Sequence, residues 1–247
     1  MNTPIISVLN LNKSFGSKKV LLNINLEVFE KDSLVILGQS GTGKSVLFKC
    51  MLGILKPEQG NVFIKGTKVN ELSEKKRFLI NKDISMVFQG SALFDSYNIL
   101  DNVTFGIIAH QKIDKNKQIS IATECLERVG LDSSILKLYP TEISGGMQKR
   151  VALARAIATK PKIIFFDEPT SGLDPISSNI INNLILEITK DLGVTSLTIT
   201  HDIKSAKTIA SNVILLHKGT IAWQGKANEL STTNNQLVYN FVNGIPS

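Results

Sequence analysis

Gly38-Gln39-Ser40-Gly41-Thr42-Gly43-Lys44-Ser45 constrains this chain more than any other stretch, because it stands between an apolar run and a helical pattern. Leu34-Val35-Ile36-Leu37 reads as a buried strand, and Val46, Leu47, Met51 and Leu52 follow at helical spacing. Strand, glycine-rich loop and helix in that order are the context of a phosphate-binding loop. The glycines let successive backbone N–H groups point inward, and the helix start adds roughly half a positive charge. A polyphosphate suits such a cradle. Lys44 would reach the β- and γ-phosphates, and the Ser45 hydroxyl would ligate Mg²⁺, a hard cation that takes oxygen ligands.

A chain of 247 residues supports one α/β core with an inserted subdomain and is short for two independent domains. Its composition, 43% hydrophobic and 20% charged, is that of an ordinary globular protein, and no apolar run reaches membrane-spanning length. The start of the chain lacks a basic segment followed by an apolar stretch, so no export signal is expected. Two cysteines, Cys50 and Cys125, suit reduced structural thiols and a cytoplasmic setting better than a disulfide framework. The net charge of +7 is spread along the chain, which fits a solvated basic surface or a membrane-facing one better than nucleic-acid binding.

In chain order, Val20 to Val28 alternate as a strand with a mostly polar second face. Lys13-Ser14-Phe15-Gly16 before it reads as a turn whose Phe15 is either core filler or a ring open to stacking on a nucleobase. Gly60 to Gly66 reads as a short strand between turns, Glu71 to Arg77 as a solvated helix or loop, and Ile84 to Phe88 as a strand ending at Gln89. Between 98 and 160 the patterns are helical, which predicts an inserted helical subdomain, with 1–97 and 161–247 forming the core. Within the insert, Ser144-Gly145-Gly146 precedes the helix Val151 to Ala158 and offers a second anion site or a plain helix cap.

Ile163-Ile164-Phe165-Phe166 is a continuous apolar run ending in Asp167-Glu168, which predicts a strand buried on both faces of a parallel sheet. At the carboxyl edge of that sheet, Asp167 would hold Mg²⁺ through water and Glu168 would orient and deprotonate an attacking water. Ser171 to Pro175 turns into a helix with the apolar stripe Ile176, Ile180, Ile181, Leu184, Ile185 and Ile188. Thr195 to Thr200 forms a strand that ends at His201, whose imidazole N–H could meet a γ-phosphate oxygen. Val213 to His217 and Thr220 to Gln224 read as a closing hairpin.

These motifs, in this order and spacing, resemble an ABC-transporter ATPase over nearly the whole chain. The resemblance implies a P-loop NTPase of the ABC ATPase fold: an α/β protein with a RecA-like parallel-sheet core, an N-terminal antiparallel β-subdomain and the inserted helical subdomain. It assigns ATP to Phe15 as the adenine-stacking ring and to the loop Gly38, Gln39, Ser40, Gly41, Thr42, Gly43, Lys44 and Ser45. It makes Glu168 the general base, Gln89 the Mg²⁺- and water-sensing residue and His201 the γ-phosphate switch, with Ser45, Gln89 and Asp167 around Mg²⁺. Ser144, Gly145 and Gly146 would contact ATP held by a second copy of the chain, so that a two-fold dimer sandwiches two ATP molecules.

Ser144 to Ala156, Asp167 to Ile176, Gly90 to Ser96 and Asn240 to Gly244 are similar to the ATPase subunit of the maintenance-of-lipid-asymmetry (Mla) system and its Mce-associated, Mkl-type relatives. That subgroup implies phospholipid transport in the bacterial envelope, with a separate integral membrane permease and an Mce-domain lipid-binding partner. The chain would be peripheral, on the cytoplasmic face of the inner membrane, with the segment Gly90 to Tyr97 touching the permease. An ABC ATPase for a different solute, or one that acts outside transport, is the alternative. Met147 stands where most ABC ATPases have glutamine, as in the lipid-transport subgroup, and the sequence ends at Ser247 without the longer tail of some relatives.

Overall fold

The computed structural model describes residues 3–245, so Ser247, where the sequence reading ends the tail, lies outside the described residues. Strands β1 (Ile6–Phe15) and β2 (Lys18–Val28) form a hairpin, and β3 (Ser33–Leu37) leads through the glycine-rich loop into α1 (Lys44–Met51). Then come β4 (Gln59–Ile64), the two-residue β5 (Thr67–Lys68), α2 (Glu74–Asn81) and β6 (Ile84–Val87). A helical stretch follows: α3 (Ile99–Ile108), α4 (Lys115–Arg128), two short 3-10 turns and α5 (Gly145–Ala158). The remaining elements are β7 (Ile163–Asp167), α6 (Pro175–Leu192), β8 (Thr195–Thr200), α7 (Ile203–Ile209), β9 (Asn212–His217), β10 (Thr220–Lys226) and α8 (Gln236–Val242).

The chain divides into two compact units, Met1–Ile80 with Thr195–Ser247, and Asn81–Val194. In the first unit one sheet, ordered β2-β1-β4-β5, is antiparallel throughout. A second runs β10-β9-β3-β8, with β3 parallel to both β8 and β9 and β10 closing as a hairpin on β9. Leu34 to Leu37, Thr195 to Thr200 and Val213 to Leu216 are all buried, as expected of parallel strands covered on both faces. Leu37 pairs with Thr200 on one side and Leu215 on the other. Gly38 and His201 therefore leave this sheet at one carboxyl edge, beside the end of β9.

In the second unit β6 and β7 pair in parallel, Ile84 opposite Ile163 through Val87 opposite Phe166. Ile163, Ile164, Phe165 and Phe166 have no accessible surface. Helix α5 carries Val, Ala, Leu and Ile on all sides and is buried from Val151 to Ala154 and from Ala156 to Ala158, because α3, α4 and β6 enclose it. Asp174 caps α6 by accepting from Ile176 N and Ser177 N, Pro175 occupies the first helical position, and Gly193 ends the helix in the left-handed region.

Two local readings need correction. Lys13 to Phe15 are strand rather than turn, since Lys13 pairs with Leu21 and Phe15 with Lys18, and the turn is Gly16-Ser17. The buried stripe of α6 is Ile181, Ile185 and Ile188 with Asn182 and Thr189, whereas Ile176 is 76% exposed. At 3.6 residues per turn Ile176 lies roughly 140° around the axis from Ile181, so it cannot share its face. Helices α7 and α8 are too short for their periodicity to stand out from the sequence.

Phe166→Ala empties a fully buried site between neighbours that cannot all collapse inward. A loss of about 3–5 kcal/mol in urea unfolding is expected, and a loss within 1 kcal/mol of zero would mean that the core at β7 is looser than described.

Candidate functional site

The first unit carries the phosphate loop. Gly43 precedes α1 with φ +104°, and a Cβ there would stand 2.9 Å from Leu21 Cδ2 and 3.0 Å from the Val20 carbonyl oxygen. A Cβ on Gly38 would stand 2.6 Å from the Leu216 carbonyl oxygen and 2.8 Å from Thr42 Oγ1. The loop is thus seated against β2 at one end and β9 at the other, with no side chain admitted at either point. Thr42 Oγ1 donates to the Gln39 carbonyl at 2.9 Å and tightens the curl. Lys44, 6% exposed, reaches back across the loop and donates to the carbonyls of Gly38 at 2.6 Å and Gln39 at 3.1 Å. Gln39, Ser40, Gly41 and Ser45 face solvent, so the outer rim and the Ser45 hydroxyl are open to a ligand.

His201 follows the register partner of Leu37 and is exposed at the same edge, so the unit itself brings His201 and the loop to one side of the sheet. Phe15 is 49% exposed at the tip of the β1–β2 hairpin, with Lys13 Nζ 5.1 Å from its ring centroid. Core filler is therefore excluded for Phe15, and an accessible aromatic face remains.

The second unit holds the other candidates. Gln89 lies two residues past Val87, and Asp167 and Glu168 follow Phe166, the strand partner of Val87, so all three stand at one carboxyl edge. Gln89 Nε2 donates to Ser171 Oγ at 3.0 Å. With its nitrogen so committed, the atom Gln89 presents to a cation is its amide oxygen. The hydroxyl of Ser45, the amide oxygen of Gln89 and the carboxylate of Asp167 are each the kind of hard oxygen donor that suits Mg²⁺. Glu168 adopts φ +47°, in the left-handed region. For a residue other than glycine this stores about 1–3 kcal/mol, and such strain concentrates at functional positions.

Ser144 caps α5, its Oγ accepting from Met147 N at 3.3 Å. The hydroxyl proton stays available to an acceptor outside the helix, and Ser144 and Gly145 are exposed. Gly145 and Gly146 belong to the first turn of α5, so the serine-glycine-glycine corner is the helix start itself.

Two residues that the sequence reading passes over hold this region together. Lys149, 7% exposed, donates to the Gln89 carbonyl, and Arg155 donates to the Ser91 and Ala92 carbonyls, both at 2.7 Å. Burial lowers the pKa of the Lys149 ammonium and of the Arg155 guanidinium by penalising their charged forms, so the carbonyls that receive them offset a desolvation cost. Ser91 and Ala92 both have positive φ. Lys149, Arg150 and Arg155 in a helix rich in Ala, Val and Leu were the available signal, because such charges are buried only when partnered.

Residues 21–171 match the ABC transporter family. The chain is 39% identical over 239 residues to the probable ribonucleotide transport ATP-binding protein mkl of Mycobacterium leprae, covering 97% of this chain and 69% of that one. It is 36% identical to the intermembrane phospholipid transport system ATP-binding protein MlaF of Haemophilus influenzae, covering 99% and 92%. It is 40% identical to the glutamine transport ATP-binding protein GlnQ of Escherichia coli, covering 90% and 91%. Among solved structures, a dimeric post-hydrolysis state of the ATP-binding cassette MJ0796 bound to ADP and Pi superposes with a TM-score of 0.82 at 31% identity, covering 90% of this chain and 98% of that one.

Gly43→Ala meets both the positive φ and the contacts to Val20 and Leu21. It should lower the melting temperature, at a cost of roughly 1–3 kcal/mol, and weaken polyphosphate binding in an equilibrium titration. Unchanged melting and binding would show that the loop is not seated as described.

Proposed function

The chain belongs to the ABC transporter family of ATP-binding proteins, and on that premise we propose that it is the ATPase subunit of a phospholipid transporter of the bacterial envelope. The observation that carries the ATPase mechanism is the strained backbone of Glu168 at a strand exit shared with Gln89 and Asp167. The lipid cargo is supported by the motifs shared with the Mla subgroup and by the similarity to MlaF. GlnQ, at 40% identity, supports a second reading in which the cargo is a different solute. Cargo is chosen largely by the membrane partner, so co-purification with the permease and identification of bound lipid or solute decides between the two.

ATP is the substrate. The backbone amides of Gly38 to Gly43 and the ammonium of Lys44 receive its phosphates, and Phe15 offers its exposed ring to the adenine. Ser45, Gln89 and Asp167 would hold Mg²⁺ through their oxygens, and the ion would supply neutralisation of charge on the phosphate oxygens. Phosphoryl transfer to water asks little covalent chemistry of a protein and much positioning. Glu168 takes the proton of the attacking water, and His201 donates its N–H to the γ-phosphate. Ser144 donates its hydroxyl proton to ATP carried by a second copy, with Gly145 and Gly146 at the same positive helix end. ATP thus closes a two-fold dimer and hydrolysis releases it. The chain works peripherally on the cytoplasmic face of the inner membrane, with an Mce-domain protein as a further partner.

The segment after Gln89 is the permease contact in this reading. Asn102, fully buried, accepts from Phe94 N at 2.8 Å and donates to the carbonyls of Phe94 and Tyr97. Phe94, Tyr97 and Phe105 cluster with ring centroids 4.6 to 6.1 Å apart, each at least 40% exposed. A rigid loop that displays aromatic rings suits a helix end of another protein.

Glu168→Gln should keep ATP affinity and slow hydrolysis by roughly 10²- to 10⁴-fold, while Lys44→Ala should weaken ATP binding itself. Wild-type turnover in the first, or equal affinity in the second, removes that residue from the mechanism. Replacing Leu93 and Phe94 by glutamate should abolish co-purification with the permease and leave ATP binding intact. Retained co-purification would place the contact elsewhere.

A further inference from the structure

Away from the residues discussed so far, the second unit contains a cavity of about 480 Å³ bounded by α4, the end of α5, the following link and the last turn of α6. Lys117, Ile121, Glu124, Cys125 and Arg128 line it from one face of α4, recurring at helical spacing. Its walls are apolar: Ile121, Cys125, Ile157, Ala158, Pro161 and Leu192. Cys125, Ile157 and Ala158 are buried, whereas the charged members Lys117, Glu124, Arg128 and Lys160 are exposed, so the charges stand around the mouth.

Those charges are three cations and one acid, and Arg128 Nη2 donates to that acid, Glu124, at 3.3 Å. Lys117 and Lys160 leave a positive excess at the opening. The size falls within the roughly 300–1,000 Å³ of small-molecule sites. Water is poorly suited to the interior, because an ordered water needs about 2–4 polar partners, and the walls are mainly hydrocarbon and a thiol. A polyanion such as a nucleotide would waste those walls, and an uncharged hydrocarbon would waste the mouth.

We propose that this cavity is a binding site for a single-chain anionic amphiphile, with the alkyl chain between α4 and α5 and the acidic head at Lys117 and Lys160. The inference is independent of the transported cargo and of the ATPase residues. Cys125 is a wall residue and therefore a reporter. Cys50, on α1, does not line the cavity and is an internal control. Burial pushes both thiols up to about 11.

The test is alkylation of the intact chain by iodoacetamide at mildly alkaline pH, with peptide mass spectrometry reading each cysteine separately. Dodecanoate, kept below its micellar range at about ten times its dissociation constant, should slow modification of Cys125 by roughly tenfold and leave Cys50 unchanged. Dodecyltrimethylammonium and inorganic phosphate should not protect. Reversing the mouth with Lys117→Glu and Lys160→Glu, both on exposed side chains, should abolish protection by dodecanoate at an unchanged melting temperature. No protection, equal protection by the cationic amphiphile or by phosphate alone, protection of both cysteines, or full protection in the charge-reversed variant would each overturn the proposal. Protection that grows with protein concentration in the absence of amphiphile would assign the cavity to a second copy and overturn it as well.

Discussion

Two close backbone approaches govern the phosphate loop. At Gly43 the chain passes within reach of Val20 and Leu21 on β2, and at Gly38 it passes against the Leu216 carbonyl at the end of β9. Between those fixed points the chain must curl, and Lys44 closes the curl from inside through the carbonyls of Gly38 and Gln39. The loop is therefore held by elements of both sheets of its unit, and the start of α1 inherits their rigidity. An anion site of this kind works because its dipoles are already oriented when the ligand arrives.

The second unit solves a different problem, that of holding a polar loop at the end of a buried strand pair. Lys149 and Arg155 project from α5 and meet the carbonyls of Gln89, Ser91 and Ala92. Asn102 fixes the far end of the same segment at Phe94 and Tyr97. A helix that starts at Ser144 is thus tied to the loop that starts at Gln89. In the proposed cycle that tie is a physical route by which ATP contact at the helix start is felt by the loop that meets the permease. Glu168 stands in a strained conformation at the exit of β7, and the fully buried phenylalanines before it supply the rigidity that maintains the strain.

Motifs whose chemistry depends on local order were legible in the sequence. The strand, loop and helix around Gly38 to Ser45 and the apolar run before Asp167 take the expected form because continuous apolar runs of strand length leave few alternatives, and the strand before His201 does so because it is rich in β-branched threonine and isoleucine. Facts set by distant contacts were not legible. The left-handed backbone of Glu168 has no sequence signature, and the pairing of Lys13 with Leu21 that extends β1 through an apparent turn depends on the partner strand. Ile176 misled because a run rich in isoleucine supports several stripes, and only the packing partner of α6 selects Ile181, Ile185 and Ile188. The exposure of Phe15 and the carbonyl-bound cations of α5 belong to the same class.

In the proposed cycle, ATP joins the phosphate loop of one copy to the Ser144 corner of another. Sedimentation of the Glu168→Gln chain with saturating Mg-ATP in the presence of its permease tests that most directly, with a Ser144→Arg derivative alongside. Two ATPase chains per complex are expected for Glu168→Gln, with loss of that pairing once Ser144 is replaced. Single chains at saturating ATP, or undiminished pairing with arginine at the corner, would contradict that cycle.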